Sequence, residues 1–279
     1  MIEEKTLANG FAYLQVTNSS ASAKIALQGA HLFHYQSSGE LPLLYVSGSS
    51  HFKTGKAIRG GIPVCWPWFG KHKTDPQLPQ HGFARNSMWR CVETKEENKT
   101  TTELCFELED TPANRELWPF KAKLQLQLTV AEQLSLQLIT TNCDSKAFSI
   151  TAALHSYFQV SDIADVTVSS LSGVTFIDTL SMKEECETED LSINSETDRV
   201  YQGDFQDITI RDRDRTITIQ SSGSKSAVLW NPWIEKSRRM ADMDNDGYRK
   251  MLCLETANAF ADERNLKPGE SHILAATYF

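Results

Sequence analysis

The 279-residue chain has no long apolar run. Nothing in it approaches the roughly 18 consecutive apolar residues of a spanning helix, so no membrane segment is expected. Its first residues, MIEEKTLANGF, are acidic and carry neither a basic nor an apolar stretch. That argues against a secretory signal and for a cytoplasmic protein. Cysteine is scattered: Cys65, Cys91, Cys105, Cys143, Cys186 and Cys253 share no paired spacing, and most stand in apolar segments such as LCFEL and MLCLE. Buried free thiols are expected, rather than a zinc site or a disulfide framework. Positive charge is in deficit, with a formal net charge of -8, which speaks against a general nucleic-acid surface. An anionic small ligand stays open, because local arginines outweigh distant acidic groups within a Debye length. Internal repeats, low-complexity linkers and sustained helical periodicity are missing too.

What the chain does contain is two-residue periodicity. In KAKLQLQLTV, Leu124, Leu126, Leu128 and Val130 alternate with polar residues, and QLSLQLIT resumes with Leu134, Leu136 and Leu138 after a short turn. This predicts a half-buried β-hairpin. In DITIRDRDRTITIQ, Ile208 and Ile210 are set to face Ile217 and Ile219 across a charged, solvated tip. Weaker strands are expected in FAYLQV, KIAL, MWRCVET, TELCFEL, FSITAAL, SAVLW, KMLCLET and HILAATY. Thr111 and Pro112 mark the start of a short helix in PANRELW, as N-cap and first position. The acidic stretch from Lys183 to Asp198 reads as a surface excursion. Hydrophobic and charged fractions of 40% and 23% suit an ordinary globular chain of this length. One all-β domain spanning residues 1–279, built of two packed antiparallel sheets, is the expectation.

Three polar segments break the strand pattern. The first, Lys56 to Arg85, holds Arg59 and Arg85 at its ends, Gly60-Gly61, four prolines, Trp66, Trp68, Phe69, and Gln80-His81 before a glycine. A stiff aromatic segment with guanidinium groups fits either a loop-built ligand site or a packed covering loop. The second, ALHSYFQVSD, places His155 after an apolar strand and before Tyr157-Phe158; such a histidine is either a core residue or an acid-base group. The third ends in MLCLETANA, where Glu255 follows residues apolar on both parities. It should therefore be carried into a desolvated place that raises its pKa. Asp242, Asp244, Asp246 and Gly247 match half of a calcium loop, but Cys253 stands where the bidentate glutamate belongs, so no metal is expected. His31 and His34, an odd number apart on a strand, point to opposite faces and read as structural or exposed.

IRGGIPVCWPWFG, QHGFAR, LHSYF, TDRVY and WNPW followed by MLCLETANA, in that order, resemble the hexose-6-phosphate mutarotases (glucose-6-phosphate 1-epimerases) of the aldose 1-epimerase superfamily. The resemblance runs from Lys56 to Asn258. It implies a β-supersandwich similar to galactose mutarotase, with neither metal nor organic cofactor, acting on a small sugar phosphate. By the same resemblance His155 is the general acid and Glu255 the general base. Arg59, Gln80, Arg85 and Asp198 are then substrate-binding, and the last of these moves the end of the acidic excursion into the site.

Anomerisation removes a proton from the C1 hydroxyl and adds one to the ring oxygen. One base and one acid on different sides of the sugar suffice, each worth about 10²–10⁴-fold when positioned. Arginines suit a 6-phosphate because a guanidinium offers two parallel donors. Trp66, Trp68 and Phe83 are candidates to stack on the sugar, with at least one of them core, and His81 is either a hydroxyl partner or a turn contact. A non-catalytic carbohydrate-binding protein on the same fold is the main rival. A glycoside hydrolase or lyase is weaker, for want of a second carboxylate. No exposed apolar stripe asks for a partner, so a monomer is expected.

Overall fold

A computed structural model of the protein describes residues 1–205 and 207–279. Among these residues, strands form antiparallel sheets of nine, eight, four and two members. The architecture is an antiparallel β-sandwich with little helix, as the alternating sequence predicts. No helix among the described residues is long and apolar enough to cross a membrane.

The clearest sequence signal becomes the middle of the nine-stranded sheet. Ala122–Val130 pairs with Leu134–Asn142, and Leu126, Leu128 and Val130 lie across from Leu138, Leu136 and Leu134. All six side chains are buried in the main core. Ile208 and Ile210 face Ile219 and Ile217 in the same sheet. The charged tip between them is docked rather than simply solvated. Asp212 accepts from the backbone and hydroxyl of Ser161, and Arg215 donates to the carbonyls of Leu41 and Gln159. Strand Ser271–Tyr278 closes this sheet by inserting between Thr216–Ser222 and Leu134–Asn142.

The eight-stranded sheet holds the segments that broke the pattern. Its order runs Lys183–Cys186, Thr175–Asp178, Thr197–Gln202, Ser226–Asn231, Met251–Asn258, Ala152–Leu154 and Val64–Cys65, with Tyr157–Gln159 also on Met251–Asn258. FSITAAL is therefore two strands. Thr151 breaks it, donating its N–H to the Pro67 carbonyl and accepting from the Phe69 N–H, so that Phe148–Ile150 joins Arg264–Leu266 instead. The acidic excursion supplies the exposed edge strand Lys183–Cys186. Helix Pro112–Leu117 starts as expected, with the Thr111 hydroxyl accepting from the Asn114 N–H at 3.2 Å. A second helix, Trp233–Arg239, was not expected, because two turns give too short a period to register. Cys65, Cys105 and Cys253 are buried free thiols, but Cys91 is half-buried and Cys143 and Cys186 are exposed, which corrects the expectation for those three.

Candidate active site

Strand Met251–Asn258 has two faces with different neighbours. Leu252 and Leu254 enter the main core, where the Thr256 hydroxyl bonds that of Ser221 on the nine-stranded sheet at 2.7 Å. Met251, Cys253 and Ala257 belong instead to two small clusters on the opposite face. Glu255 shares their parity, so alternation alone turns its carboxylate away from the main core. Across the sheet on that face run the rows Cys65–Ala153–Ala257–Ser226 and Tyr157–Cys253–Trp230–Asp198. Small side chains fill the first row, and Phe69 packs against their cluster.

His155 stands directly across from Glu255. The pairs Leu154↔Thr256 and Tyr157↔Cys253 fix that register on either side. On its other edge the histidine strand is held by the opening block, as the His155 N–H donates to Pro63 and that of Tyr157 to Gly61. Gly60 and Gly61 in turn bring this block close against the backbone of other segments. Both have positive φ, and a Cβ would lie 2.3 Å from the Tyr45 carbonyl oxygen at one and 2.4 Å from that of Leu32 at the other. No side chain fits there.

His155 Nδ1 lies 3.1 Å from Glu255 Oε1, with the two residues only 7% and 2% exposed. The contact is close but is not aligned as a hydrogen bond, and Glu255 Oε2 has no hydrogen-bond partner among the described residues. Burial, reinforced by Asp198, pushes the Glu255 carboxyl well above its ordinary range, against the pull of Arg85. Burial, then His81, Arg85 and Arg59, hold the His155 imidazole well below its own. A buried pair with one proton therefore favours the neutral acid beside the neutral ring.

The remaining expected residues converge on this pair unequally. Asp198 lies on the second row beside Trp230, its pKa raised by burial. Arg85 donates to the Gln80 carbonyl at 2.8 Å and has no carboxylate partner among the described residues; Gln80 itself is exposed. Arg59 is already engaged, donating to the Tyr157 hydroxyl at 2.8 Å and to Asp242 at 3.1 Å. His81 makes the turn contact, its Nδ1 accepting from the Gly70 N–H at 3.2 Å, while its ring meets that of His155 at 5.7 Å. Nε2 then carries the proton of the neutral ring. Trp66, Trp68 and Phe83 are all core residues packed on one another, which removes them as sugar platforms. Trp66 donates to Thr140 and Trp68 to the Pro79 carbonyl.

Some site neighbours escaped the sequence reading. Tyr157 stacks on His155, Trp230 sets its edge against both rings, and Lys236 reaches over Trp230 while paired with Glu196. Tyr157 was legible in retrospect, since two residues apart on a strand means one face. The half calcium motif is spent on structure: Asp244 caps the Gly48 and Ser49 loop and Asp242 pairs with Arg59. His31 is structural too, its Nε2 2.8 Å from the Gly60 carbonyl oxygen. Two cavities of about 490 and 440 Å³ lie elsewhere, on either side of Arg215, and neither is lined by His155 or Glu255.

Known proteins share this sequence pattern and fold. Residues 13–278 match the family model described as aldose 1-epimerase. A protein of Salmonella typhimurium, provisionally named a glucose-6-phosphate 1-epimerase, is 39% identical over 253 residues, covering 89% of this chain and 84% of that one. A crystal structure of a provisionally assigned mutarotase from the same organism superposes with a TM-score of 0.93 at 36% identity, covering 99% of this chain and 92% of the other. A galactose mutarotase related enzyme from Lactobacillus acidophilus shares the fold, with a TM-score of 0.74 at 15% identity over 95% and 96% of the two chains.

Proposed function

Since this chain belongs to the aldose 1-epimerase family, we propose that it interconverts the α and β anomers of a hexose 6-phosphate, glucose 6-phosphate foremost, by acid-base ring opening. The observation that carries this reading is the buried contact between His155 and Glu255. Both transfers occur at oxygens bonded to the same carbon, C1. An acid and a base side by side therefore serve better than the pair on opposite sides of the sugar that the chemistry first suggested.

The steps balance with one shared proton. Glu255 takes the proton of the C1 hydroxyl as the bond from C1 to the ring oxygen breaks and the aldehyde forms. His155 gives its proton to the released oxygen. That leaves the neutral pair, the form that burial favours. Rotation about C1–C2 and the reverse transfers yield the other anomer. These reverse transfers also restore the starting protonation of both residues, so the cycle closes without exchange with solvent. Arg85, in no ion pair among the described residues, suits a phosphate. Asp198, at the other end of the second row, suits a sugar hydroxyl, and Gln80 stands at the exposed rim beside Arg85. The provisional name of the Salmonella relative supports the phosphorylated substrate. The enzyme works in the cytoplasm as a monomer; its exposed large apolar residues, such as Met1, Met88 and Phe260, are scattered along the chain.

A purely sugar-binding protein gains nothing from a buried, mismatched acid-base pair, which costs stability without adding affinity. NMR exchange measurements on glucose 6-phosphate, glucose and galactose test the proposal. Acceleration confined to, or much greater for, the phosphorylated sugar is expected. Equal acceleration of all three would remove the phosphate from the reading, and no acceleration of any would remove the reaction.

A further inference from the structure

Arg59 and Arg85 occupy opposite electrostatic situations. Among the described residues the Arg85 guanidinium donates to a backbone carbonyl and makes no ion pair. Arg59 spends one Nη on the Tyr157 hydroxyl and the other on Asp242, whose carboxylate opposes its charge. Its backbone is fixed as well, the N–H donating to the Ser50 hydroxyl at 3.0 Å. A phosphate reaching Arg59 would have to compete with a carboxylate already in place.

Tyr157 is what Arg59 holds instead. The phenol is buried and lies nearly parallel to the His155 imidazole, with ring centroids 4.8 Å apart and planes 10° from coincidence. Trp230 sets its edge against both rings, at 6.2 Å from His155 and 5.9 Å from Tyr157. The stack fixes the tilt of the imidazole, and the bond from Arg59 stops the phenol sliding along it. The loop that carries Asp242 is itself pinned, with Met243 buried against Tyr45 and Asp244 bonded to the Gly48 N–H and the Ser49 hydroxyl.

We propose that Asp242, Arg59 and Tyr157 form a positioning relay that sets the plane of the His155 ring against Glu255, so that Arg59 acts on the reaction through Tyr157 and the substrate's phosphate is read by Arg85. The kinetic part of this inference rests on the mutarotase reading. The structural part does not.

Two arms separate them. In the first, ¹⁵N NMR of the resting protein without sugar follows the ring nitrogens of the histidines. Tyr157→Phe keeps the stacked ring but removes the oxygen that Arg59 reaches, and Asp242→Asn removes the charge that holds Arg59. Both should move the His155 ring signals in the same direction and leave those of the exposed His51 unchanged; unmoved His155 signals overturn the relay whatever the protein catalyses. In the second arm, anomer exchange on glucose 6-phosphate should show kcat lowered about tenfold in either variant with KM changed by less than about twofold. The double variant should be no worse than the poorer single one, because both changes break one chain. Arg85→Lys should instead raise KM for the phosphorylated sugar. Wild-type kcat in Tyr157→Phe, or a change confined to KM in Asp242→Asn, overturns the relay and returns Arg59 to the phosphate. Tyr157→Phe retains the packed ring, so it carries both arms should Asp242→Asn fold poorly.

Discussion

The two faces of Met251–Asn258 are built to different rules. On one, Leu252 and Leu254 are packed in a continuous core. On the other, Glu255 touches His155 with hydrogen-bonding capacity unspent on both residues, above a row of small side chains. Neighbours along one strand thus separate into a packed side and a side to which the proposed function assigns the chemistry. A strand permits this because adjacent side chains never share a face. A buried carboxyl inside the sandwich would have forfeited core contacts, whereas here it costs only its own desolvation.

Three experiments press on that division. The largest effect is expected from Glu255→Gln, which keeps the shape of the site face and removes its proton acceptor. Exchange should fall by about 10²–10⁴-fold, while the denaturant midpoint stays within error of wild type; a variant with full turnover would show that Glu255 is not the base. Leu254→Ala, one residue away, should do the reverse. Its loss is about 2–5 kcal/mol of unfolding free energy, read from urea titration, with turnover per folded molecule nearly intact. If it instead abolished turnover in the folded protein, the two faces would not be independent.

The third concerns the support behind the site. Burial lowers the His31 pKa from 6.5 to about 4, against the bond to Gly60 and with help from Arg85. The unfolded chain therefore takes up this proton first as pH falls. Stability should be complete above about pH 6.5 and lost progressively toward pH 4, by about 3 kcal/mol from this group alone. Urea titrations at pH 7, 5.5 and 4.5 should show the slope, flattened in His31→Gln; an unchanged slope in that variant would assign it to other groups.

Legibility in the sequence followed the range of the interaction. The Leu124 to Leu138 hairpin was plain because each strand reports its own buried face. So was the Thr111 cap, whose partner is three residues on. His155 and Glu255 stood out as polar breaks in apolar strands, but nothing local says that they touch, since register between residues a hundred apart is set by the whole sheet. The same limit hid the tie of Arg59 to Asp242, 183 positions away, and made Asp242 look like part of a metal motif. Trp66, Trp68 and Phe83 could not be sorted into core or ligand surface, because an irregular segment has no period to give its inward side.

The position of Ser271–Tyr278 has a consequence for the order of events during synthesis. It fills the middle of the nine-stranded sheet, yet follows every neighbouring strand in the chain. Its Tyr278 hydroxyl also meets that of Ser156, next to His155, at 2.7 Å. A nascent chain on the ribosome therefore holds an open slot between Leu134–Asn142 and Thr216–Ser222 until this strand emerges. The neighbour of the histidine gains this contact only then, so activity should be completed in a late step.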